Sequence, residues 1–202
     1  MERELDPDIC SSIIEFLVRK SADEMLLKQL VAAFPPLNPT PRLKKAVLLR
    51  SIQREIIAGE VPEKLLDSLE MIERIDTNQT LPISDSMRKA YCDVALECTV
   101  KYLSGNPNPK GLYSDAVNRI WRGRIENLEK SKASDLVSER LRNLGRQVEA
   151  ALGDEVVVRR LIATNTRNDA LVSLRLYLHE ALASLGPPLI ERACSELTVG
   201  ES

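Results

Sequence analysis

Apolar residues recur along most of this chain at intervals of three and four, interrupted by Asp, Ser, Pro and Gly, and that period belongs to the α-helix. The stretch from Pro41 to Asp76 states a whole helical hairpin. Thr40 can cap it and Pro41 can take its first helical position. Leu43, Val47 and Arg50 follow the helical step, and Gly59 stands where a left-handed C-terminal cap requires a residue without a Cβ. Pro62 suits the first turn of the second helix, whose apolar stripe is Leu65, Leu66, Leu69 and Ile72.

The same grammar repeats on either side. Asp6 and Pro7 open a helix with Ile9, Ile13, Phe16 and Leu17 as one stripe, widened by Cys10, Ile14 and Val18; so broad an apolar face is expected to touch neighbours on two sides. Ser21 and Glu24 form a capping box for a helix carrying Met25, Leu26, Leu30 and Val31, stopped by Pro35 and Pro36. After the TNQTLP loop, Ser84 caps the cleanest amphipathic helix, with Met87, Tyr91, Val94, Ala95, Cys98 and Tyr102, which is expected to be central. GNPNPKG at 105–111 is the strongest break, yet short enough to be a loop.

Leu112, Val117, Ile120, Trp121 and Ile125 belong to the next helix, in which Gly123 is a local weakness. The one after Ser134 carries Val137, Leu141, Leu144 and Val148 and ends near Gly153. Asp154 caps VVVRRLIA, whose β-branched run also fits a short strand but finds no other strand to pair with. Thr166 or Asn168 opens a helix from Asp169 to Leu185 that Gly186 closes, and Pro187 and Pro188 start a short last helix to Leu197. The expectation is an all-α fold: an irregular bundle of nine or ten helices in a single domain over 5–197, with 198–202 as a flexible tail. Unequal helix lengths give no repeat period.

Charge alters this picture in one place. The net charge of −2, from 28 basic and 30 acidic residues, offers no global attraction for nucleic acid or membrane. Locally, Arg42, Lys44, Lys45, Arg50 and Arg54 make the first hairpin helix basic, while Glu60, Glu63, Asp67, Glu70 and Glu73 make the second acidic. The two can neutralise each other, or the basic face can be kept for a partner. Cys10, Cys92, Cys98 and Cys194 lie far apart with no Cys-x-x-Cys pair, which fits reduced thiols, Cys92 and Cys98 reading as core residues before redox partners. The acidic start MERELDPD has no apolar signal segment, and no apolar run approaches the ~20 residues of a membrane span, so a soluble intracellular chain without membrane partners is expected.

The chemistry of reaction is thin. The one histidine, His179, has no second histidine or carboxylate at ligand spacing, and the dispersed glycines form no phosphate-cradling loop. Ser84-Asp85 and Ser134-Asp135 read as caps. No catalytic, cofactor-binding or metal site is expected, and no cofactor. The best nucleic-acid candidate is Arg119, Arg122 and Arg124 around Trp121, an aromatic face beside three guanidiniums. With two Phe, four Tyr and one Trp in all, the interleaved stacking platform is missing, and Trp121, four residues from Val117, also reads as core.

A different signal sits on the helix from Asp169 to Leu185. Leu171, Leu174, Leu178, Leu182 and Leu185 form a stripe expected to enter the core, and Val172, Leu176, His179 and Ala183 form a second, about a third of a turn away. The second stripe either packs against the first helix of another copy, at Ile14 and Val18, or is covered by 188–197.

LKKAVLLRSIQREIIAGEVPEKLLDSLEMIERI at 43–75, followed by MRKAYCDVALECTVKYLSGNP, resembles the dimerisation domain of telomere repeat-binding factors. DPDICSSIIEFLVRKS and DAVNRIWRGRIENLEKS are similar to the N-terminal part of plant Myb-like proteins related to those factors. The resemblance implies a non-catalytic domain that forms a homodimer through its first, second and long C-terminal helices and docks other nuclear proteins, in a nuclear Myb-like protein. Those proteins carry a separate Myb domain with regularly spaced tryptophans; Trp121 stands alone, so DNA would be reached only indirectly, through a Myb module not present here. The competing expectation is a monomeric helical adaptor of unrelated descent.

Overall fold

Helices begin where a side chain can satisfy the backbone N–H groups that a first turn leaves open. The computed structural model describes residues 6–20, 23–34, 38–104, 109–192 and 195, and several of its helices open this way. Asp6 accepts from Asp8 N at 2.8 Å to start α1 (Pro7–Arg19), and Asp23 accepts from Met25 N at 2.7 Å to start α2 (Glu24–Ala33). Thr40 Oγ1 accepts from Leu43 N at 3.2 Å at the start of α3 (Pro41–Ala58). Gly59 follows with φ +67°, the left-handed cap its position calls for. Next come α4 (Lys64–Asn78) and α5 (Asp85–Val100), the latter capped by Ser84, then a 3-10 turn, Lys101–Leu103.

The helix from residue 109 to 131 is continuous but changes register. It runs as α6 (Pro109–Ala116), a π-helical segment (Val117–Ile125) and α7 (Glu126–Ser131). Gly123 lies in the π segment, and Glu126 N reaches back to Trp121 O, five residues away. Ser138, not Ser134, caps α8 (Glu139–Ala150), so Val137 falls before the helix. Asp154 caps α9 (Glu155–Ala163), which settles the β-branched run as helix. Asn165 Oδ1 accepts from Asn168 N as α10 (Thr166–Leu185) begins, and Gly186, φ +68°, ends it. Among the described residues there are ten α-helices and no strand, as the apolar periodicity predicts. Ser21, the side chain of Glu24, Pro35, Pro36, residues 105–108, Cys194 and the 198–202 tail lie outside the described residues.

The chain divides into two compact units, Met1–Arg54 with Leu178–Ser202, and Glu55–Tyr177; α3 and α10 each contribute to both. In the first unit the core gathers Ile14, Val18, Leu43 and Ala46, with Leu27, Phe34 and Leu185 packed against it. The inward face of α1 is therefore Cys10, Ile14 and Val18, while Ile9 stays 55% exposed. Ser11 and Glu15 are buried beside that face, and the Glu15 carboxylate accepts from Arg42 Nε at 2.9 and 3.0 Å. Arg42 also donates to the carbonyls of Leu185 at 2.6 Å and Pro187 at 2.8 Å, filling acceptors left open at the end of α10. On α3 the buried apolar positions are Leu43, Ala46, Leu49, Ile52 and Ile56, with Lys45 buried beside them, leaving Val47 outside.

In the second unit α5 is the axis. Every residue from Tyr91 to Val100 is buried, because α4, α6, the π segment and α8 pack around it. Leu65, Leu66, Leu69 and Ile72 of α4 are all fully buried, each such burial contributing about 1.5 to 3 kcal/mol. The polar groups this core encloses have partners: Thr166 Oγ1 donates to Glu97 at 2.6 Å, Tyr113 Oη to Val148 O at 2.9 Å, and Cys98 Sγ to Val61 O at 3.5 Å.

Candidate interaction surfaces

The π segment gives the unit around α5 most of its long-range electrostatics. Arg119 places Nε 3.0 Å from both carboxylate oxygens of Glu63 and Nη2 2.8 Å from Oε2, a two-point grip on α4. That bond holds the Glu63 carboxyl below its ordinary range, against a smaller opposing effect of burial. Arg124 reaches Glu70 at 3.1 Å and Asp67 at 2.5 Å, and Tyr91 Oη donates to the same Glu70 oxygen at 2.7 Å. Arg122 turns the other way, to Glu149 of α8 and to Asn118. Glu63, Asp67 and Glu70 thus take guanidinium partners from the π segment, in a place where charge pattern alone set them against α3.

Trp121 belongs to the core. It is 5% exposed, its Nε1 donates to Thr99 Oγ1 at 2.9 Å, and Thr99 in turn donates to Ala95 O at 2.9 Å. Its ring lies so close to α8 that a Cβ on Gly145 would stand 3.2 Å from Cε3. No indole face is offered to a base, and each guanidinium of Arg119, Arg122 and Arg124 already meets a carboxylate. A phosphate at this place would have to displace those carboxylates.

The other expected surface divides. Ile14 and Val18, placed by periodicity at an interface between copies, are 6% exposed each and belong to the core of their own unit. The outer stripe of α10 lies open: Val172 is 42% and Leu176 59% exposed, and His179 and Ala183 are exposed as well. The inner face of the same helix is built from Ala170, Leu174, Tyr177, Leu178 and Ala181, with Leu171, Leu182 and Leu185 half-buried. On α2, Met25, Leu26 and Val31 are exposed too.

Two depressions mark the surface of the second unit. A groove of about 510 Å³ between the π segment, α7 and α8 has Trp121, Ile125 and Leu141 along it and is spanned by the pairs Arg122–Glu149 and Arg142–Glu129. A cleft of about 460 Å³ lies between α6, the turn after α8, and α9, with Tyr113, Ala151 and Val158 beside Lys110 and Arg159. Sequence alone gave no sign of it, since its two cations are far apart in the chain and neither belongs to a basic run.

The thiols are interior. Cys10, Cys92 and Cys98 are free and buried, and burial pushes Cys98 up to about 12 and Cys92 upward as well, so both stay protonated. Among the described residues no group of three or more His, Cys, Asp or Glu side chains could hold a metal ion, and no helix is long and apolar enough to cross a membrane. Comparison with protein-family profiles, with curated proteins and with solved structures finds no match to this chain.

Proposed function

We propose that this chain is a non-catalytic helical module that pairs with a second copy of itself and docks other proteins. The observation that carries the reading is the order of residues on the outer face of α10. Val172, Leu176, His179 and Ala183 are spaced four, three and four apart, the same from either end. A second α10 running antiparallel would set Val172 against the copy's Ala183, Leu176 against its His179, and Arg175 against its Glu180. Every contact then occurs twice, as a two-fold axis requires, and the charged flank is complementary to itself. Arg175 is exposed and has no ion pair among the described residues, whereas Glu180 already takes part in a contact that the pairing would have to share.

The resemblance to the dimerisation domain of telomere repeat-binding factors supports the same reading and extends it to a nuclear Myb-like protein, with other nuclear proteins as partners and DNA reached through a Myb module elsewhere. The second reading, a monomeric helical adaptor, is favoured by the placement of Ile14 and Val18 in the core, which removes one half of the expected interface. Light scattering coupled to size exclusion separates the two. The dimer reading expects twice the chain mass for the wild type, a monomer with unchanged circular dichroism for Leu176→Glu, and weakened pairing for Arg175→Glu that is recovered with Glu180→Arg in the same chain. A wild-type monomer, or a Leu176→Glu variant that unfolds, sinks it.

A further inference from the structure

The outer face of α10 has one member whose charge can change near neutral pH. His179 is the single histidine of the chain, and histidine is the side chain that ordinarily gains or loses its charge between pH 5 and 8. It is exposed, and among the described residues it has neither a hydrogen bond nor an ion pair. The described residues after α10 turn to α1, where Glu191 meets Lys20 at 2.6 Å, and they leave the stripe open. On its own helix the charged neighbours are Arg175, one turn before, and Glu180, next in the chain. On the inner flank, beside Leu178 and Leu182, α1 contributes Arg19 and α3 contributes Arg50, both cations, and Arg19 is paired with Glu15 at 3.3 Å.

Pairing α10 with an antiparallel copy, the reading on which this inference rests, adds three neighbours. The register that sets Leu176 against His179 places the two imidazoles about 4.5 Å apart along the axis, three residues of helical rise, and brings the copy's Arg175 level with Glu180. A neutral imidazole fits against the copy's Leu176. A charged one would stand against that leucine, among Arg175, the copy's Arg175 and the second imidazolium, while the nearest carboxylate, Glu180, is already engaged. We propose that self-association through α10 is a pH-sensitive switch: the dimer holds His179 neutral, and protonation of the two imidazoles as pH falls from about 7.5 to 5.5 releases the copies. Each copy takes up a proton on release. The Kd therefore rises as pH falls, by up to about a hundredfold per pH unit where the free chains are charged, and full affinity returns above neutrality.

Sedimentation equilibrium of the untagged chain at pH 7.5, 6.5 and 5.5 and constant ionic strength, with circular dichroism at each pH, tests the proposal. The wild-type Kd is expected to rise about tenfold or more from pH 7.5 to 5.5. His179→Phe, which keeps a ring and cannot charge, holds its affinity throughout, and His179→Lys pairs weakly at every pH. A wild-type Kd that stays level, or a rise that His179→Phe retains, overturns the switch and leaves the dimer in place. The second of these results assigns the response to another group, such as Glu73 of α4, whose carboxyl is raised by burial. A wild type already monomeric at pH 7.5 overturns the dimer and the switch together. A second measurement stays within the pH range where circular dichroism is constant. Proton NMR of the one histidine is expected to show its titration moving to higher pH as the protein is diluted from dimer to monomer, and a titration independent of concentration overturns the switch.

Discussion

Glu63, the residue that precedes α4, and Glu73 within that helix respond to acid in opposite senses. Glu63, stabilised as an anion chiefly by Arg119, has its carboxyl held below 4.5; its contribution to stability is present above that value and lost as pH falls through the lowered pKa. Glu73 accepts from Ser134 Oγ, Asp135 N and Leu136 N, yet burial outweighs those bonds and raises its carboxyl above 4.5. Its protonated form is favoured by folding, so its contribution is present below 4.5 and lost as pH rises through the raised pKa. Urea denaturation between pH 3.5 and 6.5 is expected to show Glu63→Gln flattening the loss of stability on the acid side. Glu73→Gln, an uncharged acceptor in the same place, is expected to remove a decline on the rising side, and a wild-type slope in either variant contradicts the assignment. Trp121→Phe, which keeps most of the ring but withdraws the donor to Thr99, is expected to cost about 1 kcal/mol by the same denaturation.

At the scale of elements, most caps and breaks were legible because they are local, although Asp23 and Ser138 cap α2 and α8 where Ser21 and Ser134 were expected. Asp6, Thr40, Ser84 and Asp154 act where their side chains reach their own helix, and Gly59 takes its left-handed turn with nothing within 4 Å of a notional Cβ. Gly59→Val therefore meets no clash, only the strain of a β-branched residue at positive φ, and is expected to lower stability by about 1 kcal/mol or more in thermal denaturation. Gly123→Ala differs in kind: its Cβ would stand 3.2 Å from Asn118 O, the carbonyl five residues back, so the π segment itself must shift. What periodicity could not decide was which of two apolar stripes on α1 faces inward. Ser11 and Glu15 flank the buried stripe, and only the arrival of Arg42, 27 positions away, makes that polar edge tolerable. The ion pairs of the π segment escaped the sequence for the same reason, Arg119 and Glu63 being 56 positions apart.

For the molecule as a whole, the division into two units bears on the order of events during synthesis. Glu55–Tyr177 is a continuous stretch, and all the elements around α5 are present once it has been made. The unit containing α1 and α2 is closed by residues from Leu178 onward, and Arg42 finds the carbonyls of Leu185 and Pro187 across 143 and 145 positions. On the ribosome, at about 5 to 20 residues per second, the first 54 residues must then wait several seconds for their closing helix, with Ile14, Val18 and Leu43 unsheltered meanwhile. The expected signature in arrested nascent chains is early protease resistance within α5 and persistent cleavage after Arg19 and Lys20 until Pro187 has left the exit tunnel. Such a delay makes α1 and α2 the part of this chain most exposed to capture by a holding chaperone, although they are synthesised before the helices around α5.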